Sequence, residues 1–121
     1  MVSALENEHV DILGHPTGRL LGERDAYEVD MNAVLEAAKD NDKVLEINAF
    51  PARLDLNDIN ARTAKEMGVS LAINTDAHHT SHYKYMSFGV DVARRAWLEP
   101  EDVVNTLELD KFCKLFGIDK N

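Results

Sequence analysis

The sequence predicts an α/β domain built on about three parallel strands and followed by helices. Three observations lead there. Short apolar runs of β-forming residues alternate with capped amphipathic stretches. Each run is bounded by polar residues or glycine, as expected of strands covered on both faces. The length of 121 residues suits one domain.

The elements follow in order. Residues 3–9 read as the tail of a helix begun upstream, and the run His9-Val10-Asp11-Ile12-Leu13 is the first strand. Asp30 is placed to cap a helix in which Val34, Leu35 and Ala38 recur at helical spacing. The run 43–48 is the second strand, ending in Glu46-Ile47-Asn48. Asn57 or Asp58 opens the next helix, whose Ile59, Ala61, Ala64 and Met67 run to a C-cap at Gly68. The run 69–74 is the third strand. Beyond it, Gly89 to Trp97 places Val90, Ala93, Ala96 and Trp97 on one helical side, and Phe88, Val90 and Trp97 read as core rather than as a base-stacking platform. Pro100 suits a first helical position, followed by Glu101 and Asp102, which favour the positive end of the dipole. A last helix over 110–116 stops at Gly117.

Composition narrows the function classes. Hydrophobic residues make up 45% of the chain, and no apolar run approaches the roughly 20 residues of a membrane span. The first six residues lack the basic-then-apolar order of a signal peptide, so the expected location is cytoplasmic. Cys113 is the single cysteine, which excludes an internal disulfide; within an apolar helical face it reads as a buried thiol. The net charge of -9 argues against holding nucleic acid by long-range attraction alone. It leaves a metallo-hydrolase open, because bound cations reverse the local sign.

Ligands of parallel α/β folds gather beyond the C-terminal ends of the strands. The first strand runs into Gly14-His15-Pro16-Thr17-Gly18-Arg19, and the third into Asn74-Thr75-Asp76-Ala77-His78-His79. Asp76 and His78, two apart, point the same way in extended backbone, and His15 at an equivalent strand end supplies a third donor. A carboxylate with imidazoles suits zinc, manganese or iron, so these three are the candidate metal ligands. Arg19 either meets phosphate oxygens or pairs with Glu23 or Asp25. Glu46, inside an apolar strand, reads as a ligand, a base, or a partner for arginine or histidine. Asn48 and Asn74 satisfy loop backbone or orient a ligand; His79 and His82 read as solvated, and His9 as structural.

The wording of Asp11 to Arg19, Leu45 to Asn48 and Ile73 to His78 resembles the later motifs of the PHP (polymerase and histidinol phosphatase) superfamily. In detail it is similar to the PHP domain of bacterial and archaeal family X DNA polymerases, and Gly89 to Leu98 with Asn105 to Leu107 continues the likeness. The resemblance implies the C-terminal portion of a distorted (β/α)7 barrel with a trinuclear manganese or zinc centre. It implies phosphoester hydrolysis, seen in the polymerase group as processing of DNA 3' ends. Carried over, His15, Asp76 and His78 match metal ligands and Arg19 matches a position beside the substrate phosphate. The family's His-x-His motif and middle-strand ligands have no counterpart before His15.

The expectation is therefore a partial PHP domain over 1–121, inactive alone, with an incomplete site for a divalent metal. The competing readings are a histidinol-phosphatase-like enzyme acting on small molecules and a non-catalytic scaffold or assembly module. Strands 10–13 and 71–74, deprived of barrel neighbours, are expected to expose edges and draw two copies into a homodimer.

Overall fold

The computed structural model describes residues 1–119. The elements are α1 (Val2–Leu5), β1 (Ile12–Leu13), α2 (Met31–Asp40), β2 (Val44–Asn48), α3 (Asp58–Met67), β3 (Leu71–Asn74), α4 (Met86–Arg95) and α5 (Leu109–Leu115). Three 3-10 turns, Thr80–Tyr85, Pro100–Asp102 and Val104–Thr106, complete the described chain. The strands form one parallel sheet in the order β1-β2-β3. Ile12 faces Val44, and Leu45 to Asn48 run beside Leu71 to Asn74. The α/β class with three parallel strands is as the sequence predicts.

Local chemistry sets the helix ends. The Asp30 carboxylate accepts the Ala33 amide at 3.1 Å, and the Asn57 side chain accepts the Asn60 amide at 2.9 Å. Asn57 is thus the cap and Asp58 the first helical residue. Gly68 ends α3 in the left-handed conformation, φ 81°.

Alternation divides the sheet into two chemically different faces. Leu45, Ile47, Leu71 and Ile73 join the main core with Leu35 and Ala38 of α2, Ala61 and Ala64 of α3 and Ala93 of α4. The opposite face carries Val44, Glu46 and Asn48 of β2 beside Ala72 and Asn74 of β3. Val44 and Ala72, at its N-terminal end, are covered by Val104, Leu107 and Phe116. Its C-terminal end is left polar. α4 lies close against the sheet because residue 89 is glycine: a Cβ there would sit 2.4 Å from Ile73 Cγ2 and 2.9 Å from Ala49 Cβ.

Several expectations are corrected. The first strand is two residues long rather than 9–13; His9 lies outside it, exposed, with Nε2 3.9 Å from Glu8. Ile59 is 72% exposed on the outer side of α3. Trp97 is no core residue: α4 ends at Arg95, Trp97 takes φ 62°, and its ring is 70% exposed beneath the Arg62 guanidinium. Phe88 is 44% exposed. Pro100 starts a 3-10 turn, not an α-helix, closed by Asp102 accepting the Glu99 amide at 2.8 Å.

The β3 edge is not bare. Leu71 forms a parallel bridge with Val103, and Asn105 completes the pairing with its side chain. The Ile73 amide donates to Asn105 Oδ1 and Asn105 Nδ2 donates to Ile73 O, both at 2.8 Å. A side-chain amide carries one donor and one acceptor at backbone-like spacing, so it replaces a missing strand residue. The expected unpaired edge at 71–74 is corrected accordingly. Cys113 is buried, as expected of a structural thiol.

Candidate functional site

The three strands deliver polar side chains to one rim, and Glu46 ties them together. Its Oε2 accepts the His15 amide at 2.7 Å and Asn48 Nδ2 at 3.3 Å, while Oε1 accepts Asn74 Nδ2 at 3.0 Å. One carboxylate therefore holds the ends of β1, β2 and β3. Buried in the sheet, it is stabilised by these donors rather than by an arginine or histidine side chain.

Asn48 extends the network. Its Nδ2 also reaches Asp76 Oδ2 at 3.1 Å, and its Oδ1 accepts the Phe50 amide at 3.0 Å. Of the roles open to it in the sequence, satisfying loop backbone is the one filled, through the Phe50 amide. Asp76 takes φ 53°, a left-handed turn that ends the strand run. His78 Nδ1 lies 2.7 Å from Asp76 O, which fixes the ring and leaves Nε2 as its outward nitrogen. His15 is exposed and also left-handed, φ 29°.

The loop carrying His15 is pinned by Asp55, which the sequence reading did not single out. Asp55 Oδ2 accepts the Thr17 and Gly18 amides, each at 3.0 Å, and its backbone pairs with Asn48. Gly18 is obligatory here, because with φ 63° its Cβ position would fall 2.1 Å from the Tyr27 ring. Asp55 is fully buried, and burial pushes its carboxyl above the ordinary 3.8; the Thr17 side chain and amide, Arg19 and the Gly18 amide oppose the rise. Asp55 Oδ1 and Thr17 Oγ1 are both buried, and the described hydrogen bonds to Asp55 all fall on Oδ2.

Arg19 turns two of its donors to the loop after β2 rather than to Glu23 or Asp25. Its Nε donates to Arg53 O at 2.8 Å and its Nη2 to Leu54 O. Glu23 and Asp25 form no described ion pair with it. The cation beside the candidate ligands is instead Arg53, whose Nε lies 3.6 Å from Asp76 Oδ2. Arg53 and Asp55 follow β2 in the loop after Phe50. A strand-end search carried through residue 55 would have found both.

His82 is corrected from solvated to packed: its Nδ1 accepts the His78 amide at 3.2 Å and its ring stacks on Tyr85 at 5.1 Å. His79 is exposed, with Nδ1 2.9 Å from Ser81 Oγ.

The donor types of His15, Asp76 and His78 suit a borderline metal. Their arrangement fits only in part. Among the described residues no three His, Cys, Asp or Glu side chains gather closely enough to hold an ion. Asp76 meanwhile faces Asn48 and Arg53.

The chain is 48% identical, over 107 residues, to a DNA polymerase/3'-5' exonuclease PolX of Bacillus subtilis. It is related to the family X polymerases. The match covers 88% of this chain and 19% of that polymerase. A probable phosphatase of Thermoanaerobacter is 33% identical over 112 residues, covering 88% of this chain and 43% of the relative. A probable phosphatase of Caldanaerobacter subterraneus is 38% identical over 84 residues, covering 64% of this chain and 31% of the relative. The chain thus spans from about a fifth to under half of these relatives. No family model matches it. Among the described residues, no helix is long and apolar enough to cross a membrane.

Proposed function

We propose that this chain forms part of a metal-dependent phosphoesterase site on a PHP-type barrel. The observation that carries the reading is the hydrogen-bonded rim itself. Glu46 joins the His15 backbone to Asn74, and Asn48 joins Glu46 to Asp76. The segments carrying the candidate donors, after β1 and after β3, are thereby tied to the end of β2, on the edge where parallel α/β folds bind ligands. The similarity to a polymerase/exonuclease and to probable phosphatases supports phosphoester chemistry.

In this reading His15, Asp76 and His78 would hold a divalent cation, manganese or zinc, with further donors from outside residues 1–121. Such a cation supplies Lewis acidity and an acidified water when bound. The chain's own residues position it. Glu46 fixes the three strand ends, and Asp55 fixes the Thr17-Gly18 turn behind His15. Asp76 O orients the His78 ring. The substrate is a phosphoester: DNA 3' ends, as in the polymerase group, or a small phosphomonoester as in the phosphatases. A second copy of the chain would pair through the short β1 edge, since that of β3 is closed.

A second reading, a scaffold without chemistry of its own, is favoured by the lack of a three-donor cluster among the described residues. Grafting separates the two. The matched segment of the Bacillus subtilis polymerase is replaced with the aligned residues of this chain, and 3'-5' exonuclease activity is measured with manganese. The site reading expects activity in the graft and its loss with His78→Ala. A folded, inactive graft would favour the scaffold.

A further inference from the structure

We propose that Arg53, not Arg19, is the residue that binds the substrate's phosphate, an inference that rests on the phosphoesterase reading above. Three observations carry it. First, Arg19 is committed: its guanidinium donates to the carbonyls of Arg53 and Leu54, so its fork is turned into the loop. Second, the Arg53 guanidinium stands at the rim, its Nε 3.6 Å from Asp76 Oδ2. That distance is too long for a hydrogen bond and marks a loose ion pair. Third, Arg53 Nη1 is buried without a hydrogen-bond partner. A buried unsatisfied donor on a charged group is costly, so the guanidinium is short of an acceptor where it stands.

The loop geometry holds Arg53 in place. The Arg53 and Leu54 amides both donate to Phe50 O, at 2.8 and 3.0 Å, and Arg19 grips the carbonyls of the same two residues. The side chain is thus mounted on a turn tied at both its amides and its carbonyls. A guanidinium so fixed offers two parallel donors to a tetrahedral oxyanion. Asp76 competes with the anion for this cation. Engagement of Asp76 elsewhere frees Arg53 for phosphate.

The test uses the whole 121-residue chain without metal, at low ionic strength, with inorganic phosphate as the probe and phosphorus NMR as the readout. Wild type is expected to bind phosphate, and Arg53→Ala to weaken binding roughly tenfold or more, as for loss of a charged hydrogen bond. Arg53→Lys, which keeps the charge and loses the fork, falls between them. Asp76→Asn binds more tightly than wild type because the competing carboxylate is gone. Arg94→Ala, an exposed cation on α4, is the control for net charge. No phosphate binding by wild type overturns the proposal. So does Arg53→Ala binding like wild type or like Arg94→Ala. Should Arg53→Ala fail to fold by circular dichroism, the Arg53→Lys and Asp76→Asn affinities decide: either one equal to wild type overturns it. Manganese binding by the same proteins, read by electron paramagnetic resonance, reports separately on the metal reading.

Discussion

Gly89→Ala is expected to destabilise the fold although alanine is the better helix former. On propensity alone the substitution in the middle of α4 would gain about 1 kcal/mol. The new methyl, however, would stand 2.4 Å from Ile73 Cγ2 and 2.9 Å from Ala49 Cβ. Ile73 is pinned in β3, and Ala49 has no rotamer to change, so α4 must move off the sheet. Overpacking of this kind costs typically about 1–3 kcal/mol, and two contacts under 3 Å argue for the upper end. The net expectation is a loss of about 2 kcal/mol, or a fall in melting temperature of roughly 8 °C for a domain of this size. Urea unfolding followed by circular dichroism measures it. The double variant Ile73→Ala/Gly89→Ala sharpens the test. Ile73→Ala alone should cost about 2–5 kcal/mol, but it removes the atom that meets the new methyl. The pair should couple by at least about 1 kcal/mol. Strict additivity, or a stabilised Gly89→Ala, would refute the close approach of α4.

Three further outcomes follow from the rim. His78→Ala should leave the unfolding free energy within about 0.5 kcal/mol of wild type, because His78 is exposed and its loss opens no core cavity; a change as large as that of Ile73→Ala would show it to be structural. The raised Asp55 carboxyl contributes stability that is complete below the ordinary 3.8 and is lost as pH rises through its folded value. Stability relative to Asp55→Asn should therefore fall with rising pH above that point, and parallel pH profiles would contradict the burial effect. Sedimentation equilibrium at tens of micromolar should show reversible dimers that Ile12→Lys on β1 disrupts, whereas a monomer at every concentration would remove the second copy as a partner.

What the sequence revealed depended on whether the signal was local. Asp30, Asn57 and Gly68 declare the helix ends because capping is a contact between near neighbours. The strand runs of β2 and β3 were legible from apolar continuity, and the strand-end rule then placed His15, Asp76 and His78 on one rim. Periodicity misplaced Trp97 and Ile59, since a helical stripe shows which residues share a side and not where the helix stops or what covers it. The hydrogen-bond partners of Arg19 and Glu46 were illegible for another reason. Each lies far along the chain: Arg53 O and Leu54 O for Arg19, the His15 amide and Asn74 for Glu46. That Asn105 stands in for a strand beside Ile73 is likewise a long-range contact, 32 residues along the chain.

The central claim is that His15, Asp76 and His78 form part of a metal site, and a manganese titration followed by electron paramagnetic resonance tests it most directly. The expected result is about one weakly held ion per chain, because a closed site needs about four ligands and only three candidates are present. Asp76→Ala and His78→Ala should each abolish that binding while leaving the circular dichroism spectrum unchanged. No binding by wild type, or binding that survives both substitutions, would contradict the claim.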